Sequence, residues 1–271
     1  MTSHEVKEFR KDVLKHWKEN GRHKLPWRLT KDPYKILVSE VMLQQTQVDR
    51  VVPYYRGFLK KFPTVKSLAK AELADVIRIW SGLGYNRRAK FLRDAAIVVV
   101  EKHKSKFPES YEALHELPGV GDYTARAVRV FAFSKHDVLI ETNVRTAFFK
   151  HFHSGASQTI SDADLLPLVL EAAKRQDPRE WHWALMDYGS HLKRSGVRLN
   201  HQSAHYTKQS PFEGSLRQFR GKLLRRLMDG PITKDSLKKI GSKNAYYISM
   251  ALQGMEQEGL VVKEKEEWRI A

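Results

Sequence analysis

Leu117-Pro118-Gly119-Val120-Gly121-Asp122-Tyr123-Thr124-Ala125 is the stretch that decides how this chain folds. A Pro-Gly followed one residue later by a second glycine turns the backbone tightly, because glycine alone reaches positive φ without a steric penalty. From Tyr123 onward, Ala125, Val128 and Ala132, with Val130 and Phe131, follow a helical period. The turn therefore feeds a helix N-terminus, where unpaired N–H groups and the helix dipole collect partial positive charge. Pro118, Gly119, Val120 and Gly121 form a cradle for an anion, and Arg126 and Arg129, three apart, share one face of the helix behind it. Alone, such a turn is also an ordinary connection between helices. Helices on both sides and a basic chain favour the phosphate reading.

The charge is large. Lys and Arg number 48 against 31 Asp and Glu, a formal net charge of +17, which favours a polyanionic partner. No window approaches the ~18 consecutive apolar residues of a membrane span, and Met1 to Arg10 is polar, so a cytoplasmic protein is expected, nucleoid-associated in a prokaryote. The chain has no cysteine, which excludes disulfides, thiol nucleophiles and any zinc or iron–sulfur site held by cysteine. Its 271 residues suffice for two domains with a real core.

Working outward from the turn, almost every segment reads as helix. Val6, Phe9, Val13 and Trp17 recur at spacings of three and four, and Gly21 follows as a stop. Leu25-Pro26-Trp27-Arg28 is an extended turn, and after Pro33 an apolar helix is expected from Tyr34 to about Val48. Helices are expected over 51–62, 67–71, 73–79, 87–102 and 110–114, punctuated by Pro53, Pro63, Pro108 and Pro118 and joined by short loops, as an all-α bundle requires. Beyond the hairpin, a strand-like run from Asp137 to Ile140 leads into helices through Phe149, over 162–174 and over 181–192. Residues 195–212 lack periodicity and are expected at the surface. The C-terminal part changes character: helices over 215–228, 234–240 and 244–258, then two apolar runs around a charged turn, suggest a winged helix. Lys243 and Asn244, with Tyr246 and Tyr247, would start its third helix, where groove-reading residues sit.

Two carboxylates stand out. Glu40 lies within Ile36-Leu37-Val38-Ser39-Glu40-Val41-Met42-Leu43, where burial should raise its pKa and leave an acid able to protonate a leaving group. Glu141 stands just ahead of a helix, where the dipole and free N–H groups favour the anion, so it is expected to stay ionised. Carboxylates with divergent pKa values suit the acid and counter-charge roles in breaking a glycosidic bond.

The runs 39–48 (SEVMLQQTQV) and 80–85 (WSGLGY), the 117–125 hairpin and 141–144 (ETNV), in that order, resemble the helix-hairpin-helix DNA glycosylases, most nearly the adenine DNA glycosylases, over about residues 5–192. The resemblance implies that Glu40 is the general acid that protonates a flipped base, that Glu141 supplies the counter-charge, and that Asn143 and Tyr123 hold the polar network of the site. It implies that Trp27, Arg28 and Asp187 line the base pocket and that Gln45 and Tyr85 enter the duplex. A buried target atom requires extrusion, and extrusion requires a wedge, a pocket and a phosphate anchor. Members that nick the strand through an imine carry lysine where this chain has Tyr123, so a strand-cleaving step is expected to be weak or absent.

Three departures mark this chain. The second catalytic carboxylate of the family is aspartate and here is Glu141; one added methylene displaces the charge by roughly 1 Å, which can cost on the order of 10²-fold in rate. The cluster-binding cysteines are missing, with Ser195, Gln202, His205 and Pro211 in the corresponding stretch, so packing and hydrogen bonds must hold it. His191, His201 and His205 match no zinc spacing. The family's large domain that inspects the opposite guanine is replaced by about sixty residues of winged-helix character.

The expected architecture is all-α, a two-lobed helix-hairpin-helix glycosylase fold with a small winged-helix domain. One lobe would comprise 1–29 and 137–205, the other 30–136 with the hairpin motif at 114–133, and the winged-helix domain 206–271. The expected function is a monofunctional DNA glycosylase of base excision repair, monomeric, acting on double-stranded DNA with a mismatched or damaged base, most nearly adenine. No cofactor is expected, save a sodium or potassium ion that the resemblance allows at the hairpin. Thymine or uracil opposite guanine, and hypoxanthine, are alternative substrates; a non-catalytic DNA-binding protein with a degenerate site is the alternative from another class.

Overall fold

The structure, a computed structural model, describes residues 2–153, 159–207, 211–233 and 245–271. In chain order its helices are α1 (Ser3–Asn20), α2 (Pro33–Leu43), α3 (Val48–Lys61), α4 (Val65–Ala69), α5 (Leu73–Trp80), α6 (Arg87–Glu101), α7 (Tyr111–His115), α8 (Asp122–Phe133), α9 (Thr142–Phe152), α10 (Asp162–Ala173), α11 (Pro178–Arg194), α12 (Leu216–Met228) and α13 (Ala245–Gln257). Strands β1 (Ile232–Thr233), β2 (Val261–Glu264) and β3 (Glu267–Ile270) complete the elements, so the all-α expectation with a small α+β region holds. Two compact units divide the chain: Met1–Leu37, Glu109–His115 and Gly121–Lys208 form one, and Val38–Pro108, Glu116–Val120 and Gln209–Ala271 the other. Residues 121–136 thus group with the N-terminal segment, and the C-terminal region groups with 38–108.

In the first unit, α1 opens on a capping box between Thr2 and Glu5 and buries Val6, Phe9, Val13 and Trp17, the stripe its period predicts. That stripe meets Phe148 and Phe149 of α9, Val169 of α10 and Trp181 and Leu185 of α11 in one core. Ser161 and Asp177 cap α10 and α11 with side-chain oxygens, satisfying N–H groups that would otherwise lack partners. Residues 137–140 are not a strand. Instead the Leu139 N–H donates to the buried His182 ring (3.0 Å), an irregular segment held by a side chain.

In the second unit, α2 ends at Leu43, five residues short of the expected Val48. Gln45 takes φ +54°, which breaks the helix, while Pro53 lies inside α3 and does not end it. The C-terminal region forms a three-stranded antiparallel sheet in the order β1-β3-β2, with Ile232 opposite Trp268 and Lys263 also paired to Trp268. Its core takes Leu223, Leu224 and Leu227 from α12, Met255 from α13 and Trp268 from β3, and it includes Leu73 and Ile77 of α5. The region is therefore built onto α5 and shares its core. The helix expected over 234–240, and Lys243 and Asn244, lie outside the described residues.

Candidate active site

Glu40 is buried on α2, as are its helix neighbours Ile36, Leu37, Val38, Val41 and Met42. The turn that follows α2 and the turn between α5 and α6 carry the two residues expected to enter DNA. Gln45 is exposed at φ +54° and Tyr85 is 38% exposed at φ +49°, both in a region that non-glycine residues rarely adopt. Arg88 accounts for both turns. Its guanidinium is buried and donates to the carbonyls of Val41 (2.7 Å), Met42 (3.0 Å) and Gln44 (2.6 Å), closing the end of α2 where backbone acceptors lack helical partners. The same group donates to Gly84 (3.0 Å) and Tyr85 (3.3 Å) carbonyls and to Thr46 Oγ1 (3.3 Å). Burial lowers its pKa to about 10, which leaves it charged at neutral pH. Tyr54 and Trp80 fasten the second turn further, through the carbonyls of Ser81 (3.0 Å) and Gly84 (3.1 Å).

The hairpin turns as its sequence requires. Gly119 sits at φ +74° with its missing side chain facing Phe91, so a Cβ there would collide with the ring. The Val120 N–H donates to the Leu117 carbonyl (3.0 Å), and Gly121 caps α8 without a side-chain hydrogen bond. Asp122 in the first turn of α8 is partly desolvated, which pushes its pKa up, but hydrogen bonds from Tyr111 (2.8 Å) and Arg126 (2.9 Å) hold it below the usual carboxylate range. Arg126 is thus paired with Asp122, and Arg129 is committed to Asp137 (2.6 Å) and the Glu109 carbonyl (2.8 Å). The two arginines brace the helix, and the charge they offer an anion is smaller than the sequence suggests.

The first unit holds the other carboxylate. Glu141 is the N-cap of α9, accepting the Val144 N–H (3.1 Å) and the Asn143 amide (3.1 Å). The sequence places an ionised anion here. Burial instead pushes its carboxyl above the ordinary value, against the two backbone bonds, the Asn143 amide and the nearby charge of Lys193, which all lower it. A Cβ at Gly189 of α11 would overlap the Asn143 carbonyl, so glycine alone lets α11 approach the first turn of α9. One turn further along α11, Lys193 is half-buried and its pKa is lowered by desolvation, partly offset by Glu141.

Arg28 and Asp187 meet in the same unit. Asp187 is buried and receives both Arg28 terminal nitrogens (2.8 and 2.9 Å) as well as the Arg22 N–H and Nε (2.7 Å each). Burial raises its pKa, yet these four donors and two charges hold it below the usual range. The Arg28 guanidinium is also stacked over Trp17 and Trp183, 5.2 and 5.5 Å from the ring centroids. Trp27 is buried on the 3-10 turn Pro26–Arg28, a tighter conformation than the extended turn expected. Tyr123 is half-buried in the first turn of α8.

The model of the HhH-GPD superfamily of base excision DNA repair proteins matches residues 38–188. This chain belongs to that superfamily. The superfamily match takes in Glu40, Gln45, Tyr85, the hairpin, Tyr123, Glu141, Asn143 and Asp187, and begins after Trp27 and Arg28. As a member, the chain is similar to the adenine DNA glycosylase of Mycolicibacterium smegmatis, 34% identical over 266 residues, covering 92% of this chain and 91% of the relative. It is also similar to the adenine DNA glycosylase of Buchnera aphidicola subsp. Baizongia pistaciae, 32% identical over 67% of this chain, of which it spans 52%, about half the length. A thermostable thymine-DNA glycosylase superposes with a TM-score of 0.61 over 74% of this chain and 96% of that one, at 24% identity, a likeness of fold.

An iron–sulfur cluster does not fit this superfamily member, since no thiolate is present to hold it. Direct bonds tie the 195–205 segment down: Ile160 N–H to the Gln202 carbonyl (2.7 Å), Ala204 N–H to the Ile160 carbonyl (3.0 Å), and Thr146 Oγ1 to Asn200 (2.9 Å). Gln202 and Ser203 are buried, where a surface path was expected. Among the described residues no group of three His, Asp or Glu is placed to hold a metal. Arg88, Gly189 and Lys193 are the residues that sequence reasoning passes over. The one signal for Arg88 is an arginine three residues beyond a glycine-rich turn, which by itself is ordinary.

Proposed function

We propose that this chain is a monofunctional DNA glycosylase that removes adenine from a mispair. The observation that carries the reading is Glu40, a buried carboxyl group on α2, inside the superfamily match. A carboxyl group buried on this helix is suited to act as the acid that donates to a ring nitrogen of the extruded base. As that proton moves, the C1′–N bond breaks and its electron pair leaves with the base. Positive charge develops on the sugar, and ionised Glu141, fixed by Val144 and Asn143, offsets it. Water then adds to C1′ and its proton is released. Tyr123 provides no amine for an imine, so the product is an intact strand with an abasic site. The similarity to adenine DNA glycosylases supports adenine as the base.

The test uses duplexes bearing A opposite 8-oxoguanine or G, T or U opposite G, and hypoxanthine, with alkali to cleave abasic sites. Wild type should release adenine, and Glu40→Gln should bind the same duplex while losing at least ~10²-fold in single-turnover rate, the usual contribution of a general acid. Because the base is lost only while Glu141 is ionised, the rate should fall on the acid side at a pH above the ordinary glutamate value of 4.5. Equal binding by both proteins with no base released by either would leave a DNA-binding protein and no enzyme.

A further inference from the structure

The second unit contains a groove of about 760 Å³ that runs between the two arginine-held turns and the C-terminal helix α12. One wall is Gln45 to Gln47 with Ser81 to Asn86, and the opposite wall is Phe212 and the face of α12 that carries Arg217, Lys222 and Arg225. Arg50 adds a further cation, and among the described residues lining the groove there is no Asp or Glu. Cations on this scale without carboxylates select a polyanion. Helix α12 as a whole carries Arg217, Arg220, Lys222, Arg225 and Arg226 and no acidic residue.

The aromatic groups narrow the choice. Tyr85 is 38% exposed and Phe212 58% exposed, and Arg217 lies between them, 5.8 Å from one ring centroid and 5.6 Å from the other, with its Nη1 donating to the Tyr85 hydroxyl (2.8 Å). Exposed rings alternating with cations suit nucleic acid, the cations meeting phosphates and the rings a base opened from the stack. An acidic peptide would meet the cations but would leave the two rings without planar partners.

We propose that this groove is a DNA-backbone site, in which the C-terminal region extends the surface that holds the duplex beside the turns of Gln45 and Tyr85. The inference takes duplex DNA as partner from the function proposed above and does not require that a base be removed. Lys222 and Arg225 are exposed and make no part of the proposed catalytic groups. Each phosphate contact contributes about 0.9 to the slope of log affinity against log salt.

The probe is a fluorescent duplex carrying A opposite 8-oxoguanine, titrated by anisotropy across salt concentrations. The double variant Lys222→Ala/Arg225→Ala should lower the salt slope by about 2 and weaken binding roughly tenfold or more at 0.1 M salt. Lys15→Ala/Lys18→Ala on α1 removes the same charge from an exposed site elsewhere and should lower the slope less. Phe212→Ala should weaken binding without changing the slope. A double variant with the wild-type slope, or one matched by the α1 control, overturns the proposal. Loss of slope in proteins that release no base would leave the groove in place and remove the enzyme, so the two failures are separable.

Discussion

Removing Arg88 should loosen both turns at once. The perturbation is Arg88→Met, which keeps the aliphatic stem and deletes the guanidinium. The depression of its pKa from 12.5 to about 10 corresponds to a burial penalty of roughly 3 kcal/mol for the charge. The native state tolerates this because the group satisfies the carbonyls of Val41, Met42, Gln44, Gly84 and Tyr85 together with the Thr46 hydroxyl. In the variant those carbonyls lose their donor, each at about 1–3 kcal/mol where water cannot reach. After the relieved charge penalty and partial rehydration of the turns, a net loss of about 3–5 kcal/mol is expected, a fall in Tm on the order of 10 °C for a chain of this size. Thermal unfolding followed by circular dichroism measures it. Arg88→Lys should recover only part, because one ammonium with three donors cannot span both turns. A base-analogue fluorophore at the target position should report weaker extrusion by the methionine variant, since Gln45 and Tyr85 depend on those turns. A methionine variant melting within about 2 °C of wild type, with extrusion unchanged, would refute the argument.

Other residues give sharper single readouts. His182 is neutral in the folded protein, accepting from Leu139 N–H and bonded through Nδ1 to the Pro178 carbonyl, and burial lowers its pKa from 6.5 to about 4; its contribution, roughly 3 kcal/mol, is complete above pH 6.5 and is lost as pH falls toward 4, so His182→Gln should flatten the acid limb of a stability–pH curve. Gly189→Ala must drive α11 away from the Asn143 carbonyl; a loss of about 2–3 kcal/mol by urea unfolding and a slower single-turnover rate, through displacement of Glu141, are expected, and a rate equal to wild type would show that the cap does not depend on this approach. Asp187→Asn leaves buried Arg28 without its counter-charge and should cost about 3–5 kcal/mol by urea unfolding, whereas a loss below about 1 kcal/mol would mean the pair is not held in the desolvated core.

Much of this protein is legible from one dimension. The α1 stripe of Val6, Phe9, Val13 and Trp17 faces the core as its spacing predicts, and the Gly119 turn adopts the conformation that only its residue type allows freely. Both depend on neighbours a few residues away. Glu40 reads as buried because its apolar neighbours lie on its own helix. The superfamily follows from the same local runs.

Contacts between distant segments are of another kind. That Arg88 would reach back 44 to 47 residues to end α2 at Leu43, that Asp187 would receive Arg22 and Arg28, and that the C-terminal core would close over Leu73 and Ile77 leave no periodic trace. The same holds for Glu141, whose position at a helix start argues for a lowered pKa while desolvation raises it. Sequence alone determined the helices, the hairpin and the burial of Glu40, since those follow from short-range sterics and hydrophobic period. Tertiary structure decided which charges are neutralised, which carbonyls are satisfied and which way the Glu141 pKa moves, because desolvation and pairing depend on whatever the fold brings alongside.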